Sequence, residues 1–229
     1  MKPVQTIPKQ PEPDFEPYIG LRPFRENERD RFFGRDREIS VLLDKIRGNR
    51  LTLLLAGSGV GKSSLLRAGI MPALAGDTEL VYYRNWSAAP GPALKQSISE
   101  HFRKKYNAAG LAEQFAALPL KDILRACTMF STGRKILLLD QFEEFFNYQR
   151  FRPEFRPFIE ELSAAVLDSG IPVSFIFSMR EDFALELNAF KPFLPAVFDN
   201  YFRLEKLTRD QARLAIAEPL KLDDPVFLS

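Results

Sequence analysis

Apolar residues occur in short continuous runs along the chain, and most runs end at a glycine or a charged residue. Such runs are typical of strands that are buried on both faces of a sheet. They predict five strands, the last of them short, at residues 51–55, 80–84, 135–139, 173–177 and 201–204.

The segments between these runs space their apolar residues with helical periodicity. They predict helices at residues 34–47, 62–74, 93–106, 111–118, 120–130, 158–167 and 209–217. Pro153 and Pro157 are expected to interrupt the helical region before residue 158, Thr208 to cap the last helix and Pro219 to end it. Because strands alternate with helices, we predict an α/β fold with a mainly parallel sheet covered on both faces.

The strongest chemical signal follows the first predicted strand, where the sequence reads GSGVGKSS at residues 57–64. Glycines let backbone N–H groups approach phosphates closely, and the following helix points its positive end at the same anion. The pattern is a Walker A motif, with Ala56 in place of its usual first glycine. A glycine-rich turn with a surface lysine is the alternative, which the flanking strand and helix disfavour. The residues predicted to bind phosphate are Gly57, Ser58, Gly59, Val60, Gly61, Lys62, Ser63 and Ser64.

Two of these residues have specific expected roles. Lys62 would reach the β- and γ-phosphates, and the Ser63 hydroxyl would ligate Mg²⁺. A second Mg²⁺ ligand is predicted at Asp140, because the apolar residues 136–139 followed by aspartate form a Walker B pattern. Any strand can also end in an aspartate without such a role.

Glu143 and Glu144 follow the Walker B strand and are the candidates for a catalytic carboxylate. Such a group would orient or deprotonate the water that attacks the γ-phosphate. The spacing does not choose between them, and each could instead be a solvated charge on a helix.

Arg180 lies just past the fourth predicted strand, where its cation could sense the γ-phosphate. An ion pair with Glu181 or Asp182 is the alternative. Ligands of parallel α/β sheets bind beyond the carboxyl ends of the strands. The Walker A loop, Asp140 and Arg180 occupy three such ends, and together they predict one nucleoside triphosphate site.

The composition of the chain argues against several classes of partner and catalytic site. The chain has 32 Lys and Arg against 30 Asp and Glu, a net charge of +2, which gives no electrostatic argument for nucleic acid or membrane as a partner. Its single cysteine and single histidine exclude an internal disulfide and disfavour a Ser-His-Asp or histidine metal site. No apolar run has the length of a membrane span and no signal-peptide core is seen, so we expect a cytoplasmic protein.

The order of motifs resembles that of STAND-class P-loop NTPases, relatives of AAA+ and NACHT proteins, and most specifically the novel STAND NTPase 1 family. The matching stretches, from residue 18 to about 220, are YIGLRPF, FFGRDRE, AGSGVGKSSLLRAGIMPAL, YYRNWSAAPGPAL, ILLLDQFEEFF, FSMREDF and LTRDQARLAIAEPL. The resemblance implies a three-layer P-loop sandwich with a five-stranded sheet, in which the Arg180 strand lies between the Walker A and Walker B strands. It also implies that Phe33, Gly34 and Arg35 line the adenine end of the pocket, that Pro219 lies near the base, and that Arg180 is a sensor.

The same resemblance suggests a division of the chain. Residues 1–17, rich in proline, are expected to be a disordered tail or linker, residues 18–204 a P-loop ATPase core, and residues 205–229 the start of a helical lid. Family members continue with more lid and a winged-helix domain, so we expect either an excised ATPase core or a short stand-alone member.

The function implied is that of a slow, Mg²⁺-dependent switch ATPase that binds ATP and ADP. Its nucleotide state would control homo-oligomerisation and signalling to effector or sensor domains in the same or another chain, often in defence against phage or pathogens. The alternative is a module that holds nucleotide without hydrolysing it and recruits a protein partner.

Overall fold

The computed structural model describes residues 18–222 except 21, 77, 109 and 110, and all structural statements below concern these residues. The predicted tail at residues 1–17 and the end of the predicted lid, 223–229, lie outside them. Five parallel strands form one sheet in the order β2-β3-β4-β1-β5. The strands are β1 Leu51–Ala56, β2 Thr78–Tyr83, β3 Arg134–Leu139, β4 Val173–Arg180 and β5 Tyr201–Arg203. The predicted α/β fold and the implied place of the Arg180 strand, between the other two motif strands, are confirmed.

Helices cover both faces of this sheet. The α-helices are α1 Asp36–Gly48, α2 Lys62–Ser64, α3 Met71–Leu74, α4 Pro90–Tyr106, α5 Leu111–Ala116, α6 Leu120–Cys127, α7 Glu143–Gln149, α8 Phe155–Leu167 and α9 Arg209–Lys221. The described part of the chain also contains two 3₁₀-helices, Glu26–Arg31 and Glu181–Phe190, and a π-helix, Leu65–Ile70, between α2 and α3. In that same part, no helix is long and apolar enough to cross a membrane.

Side chains of the central strands alternate between two apolar cores, because successive residues of a strand point to opposite faces. Leu137 pairs with Phe175 and both face a core that α4, α6 and α8 cover. Leu138 pairs with Ile176 and both face a second core, formed with α1 and the helix that follows β1. Asp140 and Ser178 come two residues after Leu138 and Ile176, so their side chains lie on this same face of the sheet, which also carries the helix that follows β1.

The helix after β1 differs from the predicted regular helix at residues 62–74. Between α2 and α3 the chain forms a π-helix, Leu65–Ile70, so the three segments make one irregular helix. Gly69 lies in the π-helical part, and a Cβ atom there would be 2.8 Å from the Ile39 side chain of α1. Glycine thus lets this helix pack unusually close to α1.

Two predictions about proline were wrong. The last helix does not end before Pro219 but continues through it to Lys221, and Pro219 itself is buried. A proline inside a helix forfeits one backbone hydrogen bond, which packing of its ring can offset. Pro157 does not interrupt α8 either, because it lies in the first turn, where the backbone N–H has no partner within the helix. The predicted cap at Thr208 is confirmed, since its hydroxyl accepts a hydrogen bond from the Gln211 amide at 3.3 Å.

Candidate functional site

The Walker A loop adopts a conformation that requires glycine. Gly59 and Gly61 have φ angles of 73° and 103°, in the left-handed region that side chains disfavour. The ammonium of Lys62 donates to the carbonyl oxygen of Ala56 at 3.2 Å, and burial lowers the pKa of Lys62. The lysine that follows the loop thus lies folded against it, in an environment that favours a negatively charged partner.

Asp140 is fully buried, and three hydroxyl groups hold its carboxylate. Its Oδ2 accepts from Ser63 at 2.9 Å and from Tyr82 at 2.7 Å, and its Oδ1 accepts from Ser178 at 2.7 Å. The register of the sheet explains this cluster, because Leu139 pairs with Phe177 and the next residues of the two strands are therefore neighbours. Ser63 and Asp140, the two predicted Mg²⁺ ligands, are in direct contact.

The backbone at Asp140 is fixed as well as the side chain. The indole N–H of Trp86 donates to the Asp140 carbonyl oxygen at 2.8 Å, and Trp86 is itself fully buried. Gln149 of α7 donates to the Trp86 carbonyl oxygen at 2.7 Å, and the ring of Phe142 packs edge-on against the indole. The rings of Phe145 and Phe158 also pack edge-on against Trp86, so three phenylalanines help to fix this strand end.

The residues present fit a magnesium ion that binds together with a nucleotide. Mg²⁺ is usually held by one or two carboxylates together with phosphate oxygens and water. Ser63 and Asp140 offer hard oxygen donors of this kind. Within the described ranges no group of three or more His, Cys, Asp or Glu side chains could hold a metal. The donor set therefore suits Mg²⁺ with phosphate oxygens and does not suit a metal bound by protein alone.

The structure separates Glu143 from Glu144, which the sequence left equivalent. Glu143 is 6% exposed, accepts a hydrogen bond from the Arg180 amide at 3.1 Å, and faces a charged cavity. Its pKa is raised, mainly by burial. Glu144 lines neither this cavity nor the apolar one beside it. Gln141, which precedes α7 and lines the same cavity, has a φ of 52°, in the left-handed region.

Arg180 is the last residue of β4, which is three residues longer than predicted. Its guanidinium makes the ion pair with Asp182 that was the alternative interpretation, with Nε 3.1 Å from Oδ1. It also lies 5.4 Å from the centre of the Phe183 ring. Glu181, the other proposed partner, pairs with Arg203 instead at 2.7 Å. Arg180 nevertheless lines the charged cavity.

The charged cavity, of about 250 Å³, brings most of the predicted phosphate and metal residues together. Lys62, Asp140 and Arg180, which follow or end three different strands, all line it. The full lining is Arg22, Pro23, Ser58, Gly59, Gly61, Lys62, Ser63, Ser64, Asp140, Gln141, Glu143 and Arg180.

An apolar cavity of about 460 Å³ adjoins the charged one, and Gly61 and Ser64 line both. Its walls include Phe33, Arg35 and Pro219, three of the four residues implied for the adenine end. The remaining lining comes from residues 18–24, the end of the first 3₁₀-helix, the Walker A loop, α9 and the residues just before α9: Tyr18, Ile19, Gly20, Phe24, Arg31, Phe32, Val60, Leu207 and Ala215.

Gly34, the fourth of those residues, does not line the cavity and instead packs against α9. Its φ is 84°, and a Cβ atom there would lie 2.5 Å from the carbonyl oxygen of Gln211 in α9. The Gln211 side chain also donates to Glu38 at 2.7 Å, and Glu38 accepts from the buried Arg35 at 3.1 Å. Because Arg35 also donates to the Val60 carbonyl oxygen at 3.2 Å, one network joins α9, α1 and the Walker A loop.

Sequence reasoning missed Tyr82, Ser178 and Arg22. Ser178 carries a visible signal, since it is the polar residue that follows the apolar residues 175–177. Tyr82 lies within a strand and Arg22 lies in the YIGLRPF stretch, and neither position by itself indicates a site residue.

Comparison with solved structures shows the fold. The Walker-type ATPase PABY2304 of Pyrococcus abyssi aligns with a TM-score of 0.55 and 20% identity, over 88% of this chain and 60% of that one. The ORC2 protein of Aeropyrum pernix, in its ADP form, aligns with a TM-score of 0.53 and 14% identity, over 82% of this chain and 51% of that one. The chain thus spans less than two thirds of either protein.

A search of curated proteins finds no sequence match. The family model of novel STAND NTPase 1, in contrast, matches residues 17–226, which is nearly the whole chain. With the P-loop fold and the contact between the Walker A serine and the Walker B aspartate, this match assigns the chain to the novel STAND NTPase 1 family.

Proposed function

We propose that this chain is a Mg²⁺-dependent module that binds ATP and hydrolyses it slowly. The observation that carries the proposal is the pair of adjoining cavities, one apolar and one charged, that share Gly61 and Ser64. A nucleotide has the same division, with a flat base at one end and a polyphosphate at the other. The ADP form of Aeropyrum pernix ORC2, which has the same fold, supports an adenine nucleotide as the ligand.

The phosphates would bind to backbone N–H groups of residues 57–64 and to the Lys62 ammonium, which would leave the Ala56 carbonyl oxygen. Ser63 and Asp140 would hold Mg²⁺, which when bound offsets negative charge on the phosphate oxygens. The base would lie in the apolar cavity, in contact with Phe33 and Pro219.

Glu143 is the proposed catalytic base. A carboxylate with a raised pKa is a better proton acceptor, and burial raises the pKa of Glu143 although the charge of Lys62 acts in the opposite direction. The oxygen of an attacking water would bond to the γ-phosphorus while its proton passes to Glu143. The bond between the γ-phosphorus and the β–γ bridging oxygen would break, and ADP and phosphate would be released. Arg180 would contact the γ-phosphate after releasing Asp182.

We further propose that residues 18–204 form the ATPase core and that α9 begins a lid at residues 205–229. The hydroxyl of Tyr18 donates to the Ile216 carbonyl oxygen at 3.0 Å, so the start of the core and α9 meet beside the apolar cavity. Nucleotide in this cavity would stabilise the closed position of α9. That coupling would transmit the nucleotide state to homo-oligomerisation and to effector or sensor domains, with phage or pathogen defence as the biological context.

Two experiments test this proposal, and the first is a thermal-shift series with ATP, ADP and GTP in the presence of Mg²⁺. At a nucleotide concentration of one hundred times Kd, binding adds about 2.7 kcal/mol of stability. We expect Tm to rise by roughly 5–11 °C with ATP or ADP, and less with GTP. Wild-type protein that no nucleotide stabilises would remove the proposal, and an equal shift with GTP would contradict the adenine assignment.

The second experiment is single-turnover hydrolysis with matched variants. Glu143→Gln should slow ATP hydrolysis by about 10²–10⁴-fold and keep nucleotide binding, because it removes only proton transfer. Glu144→Gln is the control, because it removes the charge of the next residue, which lines neither cavity. This variant should keep the wild-type rate. Lys62→Ala should lose binding. If wild-type protein binds ATP and leaves it intact, the chain is a nucleotide-holding module and not an ATPase.

A further inference from the structure

The segment that precedes the first 3₁₀-helix crosses the junction of the two cavities. Tyr18 and Phe24 line the apolar cavity, whereas Arg22 and Pro23 line the charged one. The backbone N–H of Phe24 donates to the Ser64 hydroxyl at 3.3 Å, and Ser64 lines both cavities. This segment is therefore tied to the site at the point where the base and phosphate ends would meet.

Arg22 brings a guanidinium to the charged cavity from outside the sheet. The side chain, 42% exposed, forms a two-point ion pair with Glu28, in which one N–H donates at 2.8 Å. Glu28 also accepts from the Arg25 amide at 2.7 Å, and the hydrogen bond from Arg22 lowers the pKa of Glu28 to about 2. Glu28 itself does not line the cavity. Arg22 is thus held at the edge of the cavity by a partner that lies outside it.

The charges around the cavity favour a strong anion. Three cations, from Arg22, Lys62 and Arg180, line it together with two carboxylates, from Asp140 and Glu143. The fork of N–H groups on a guanidinium matches phosphate oxygens as well as it matches a carboxylate. Exposed ion pairs contribute little to stability, so a polyphosphate can compete with Glu28 for Arg22.

We propose that Arg22 is a further nucleotide-binding residue, whose guanidinium exchanges Glu28 for the polyphosphate oxygens of the bound nucleotide. Glu28 then acts as the internal competitor that holds Arg22 in place when the phosphates leave. This inference rests on the proposed function, because it requires nucleotide in the charged cavity.

The test is isothermal titration of ATP, ADP and adenosine, with Mg²⁺, into wild-type protein and three variants. Arg22→Ala should weaken ATP and ADP by roughly 10- to 100-fold and leave adenosine unchanged, since it removes a charge-assisted phosphate contact. Glu28→Gln should bind ATP at least as tightly as wild type, because it frees Arg22. Arg29→Ala is the matched control, since it removes the same charge from an exposed residue of the same region that lines neither cavity.

A purely structural ion pair gives a different pattern. Arg22→Ala and Glu28→Gln would then weaken ATP and adenosine to the same extent and would lower Tm alike, which overturns the inference. Wild-type affinity for ATP in Arg22→Ala overturns it too and leaves the proposed function standing. Failure of wild-type protein to bind any nucleotide overturns both.

Discussion

The contact between Gly34 and α9 can be tested by a single methyl group. In Gly34→Ala the added Cβ atom would lie 2.5 Å from the Gln211 carbonyl oxygen and 3.2 Å from its carbonyl carbon. Backbone atoms of a helix cannot rotate away as a side chain can, so α9 must shift. The left-handed φ of 84° adds about 1–2 kcal/mol for a residue with a side chain, and overpacking adds about 1–3 kcal/mol. The combined loss is roughly 2–5 kcal/mol.

Thermal unfolding and hydrogen exchange measure this loss together. In a chain of this size each kcal/mol lowers Tm by about 2–4 °C, so Gly34→Ala should lower it by roughly 4–20 °C. Undocking of α9 would relieve the clash at a smaller global cost. In that case the amides of α9 should exchange faster, and ATP affinity should fall because Pro219 and Ala215 no longer line the apolar cavity.

Gly76→Ala is the matched control, because Gly76 has an even more positive φ of 112° and, apart from its two chain neighbours, no described residue lies within 4 Å of the position that its added methyl group would take. It should show the backbone cost alone, about 1–2 kcal/mol, with normal exchange in α9. If the two variants lose the same stability and α9 stays equally protected in both, then α9 does not pack on Gly34 and the reasoning is wrong.

Two other substitutions probe the charged cavity. Burial raises the pKa of Glu143, so its contribution to stability is complete below its unfolded-state pKa of about 4.3 and is lost as pH rises through the higher folded value. Glu143→Gln should therefore be more stable than wild type in urea at pH 7–8, by a margin that shrinks toward pH 4; a margin independent of pH would contradict this account. Tyr82→Phe removes a 2.7 Å hydrogen bond to Asp140 and should cost about 1–2 kcal/mol, and ATP binding should then need more Mg²⁺. The control is Tyr83→Phe, which removes a hydroxyl that donates to the Asn85 carbonyl oxygen and does not contact Asp140. If Tyr83→Phe raises the Mg²⁺ requirement as much as Tyr82→Phe does, the role of Tyr82 is refuted.

Sequence patterns were sufficient for the three central strands, β1, β3 and β4, because these strands are buried on both faces. Burial on both faces requires nearly continuous apolar residues. The residue after such a run then lies at the carboxyl end of the strand, as Asp140 does. The irregular helix after β1 and the continuation of α9 through Pro219 were not predictable in this way. Both depend on packing against distant segments, which overrides local preference.

The sequence by itself determined which strand ends carry the Walker A loop, Asp140 and Arg180, because motif spacing and apolar runs are local properties. Only the tertiary structure distinguished Glu143 from Glu144, since neighbouring helix residues point in different directions and only Glu143 of the two lines the cavity. Only the tertiary structure added Tyr82 and Arg22, which come from an edge strand and from the segment before the first helix. Their side chains reach the site through contacts between residues far apart in the chain, and no local pattern records those contacts.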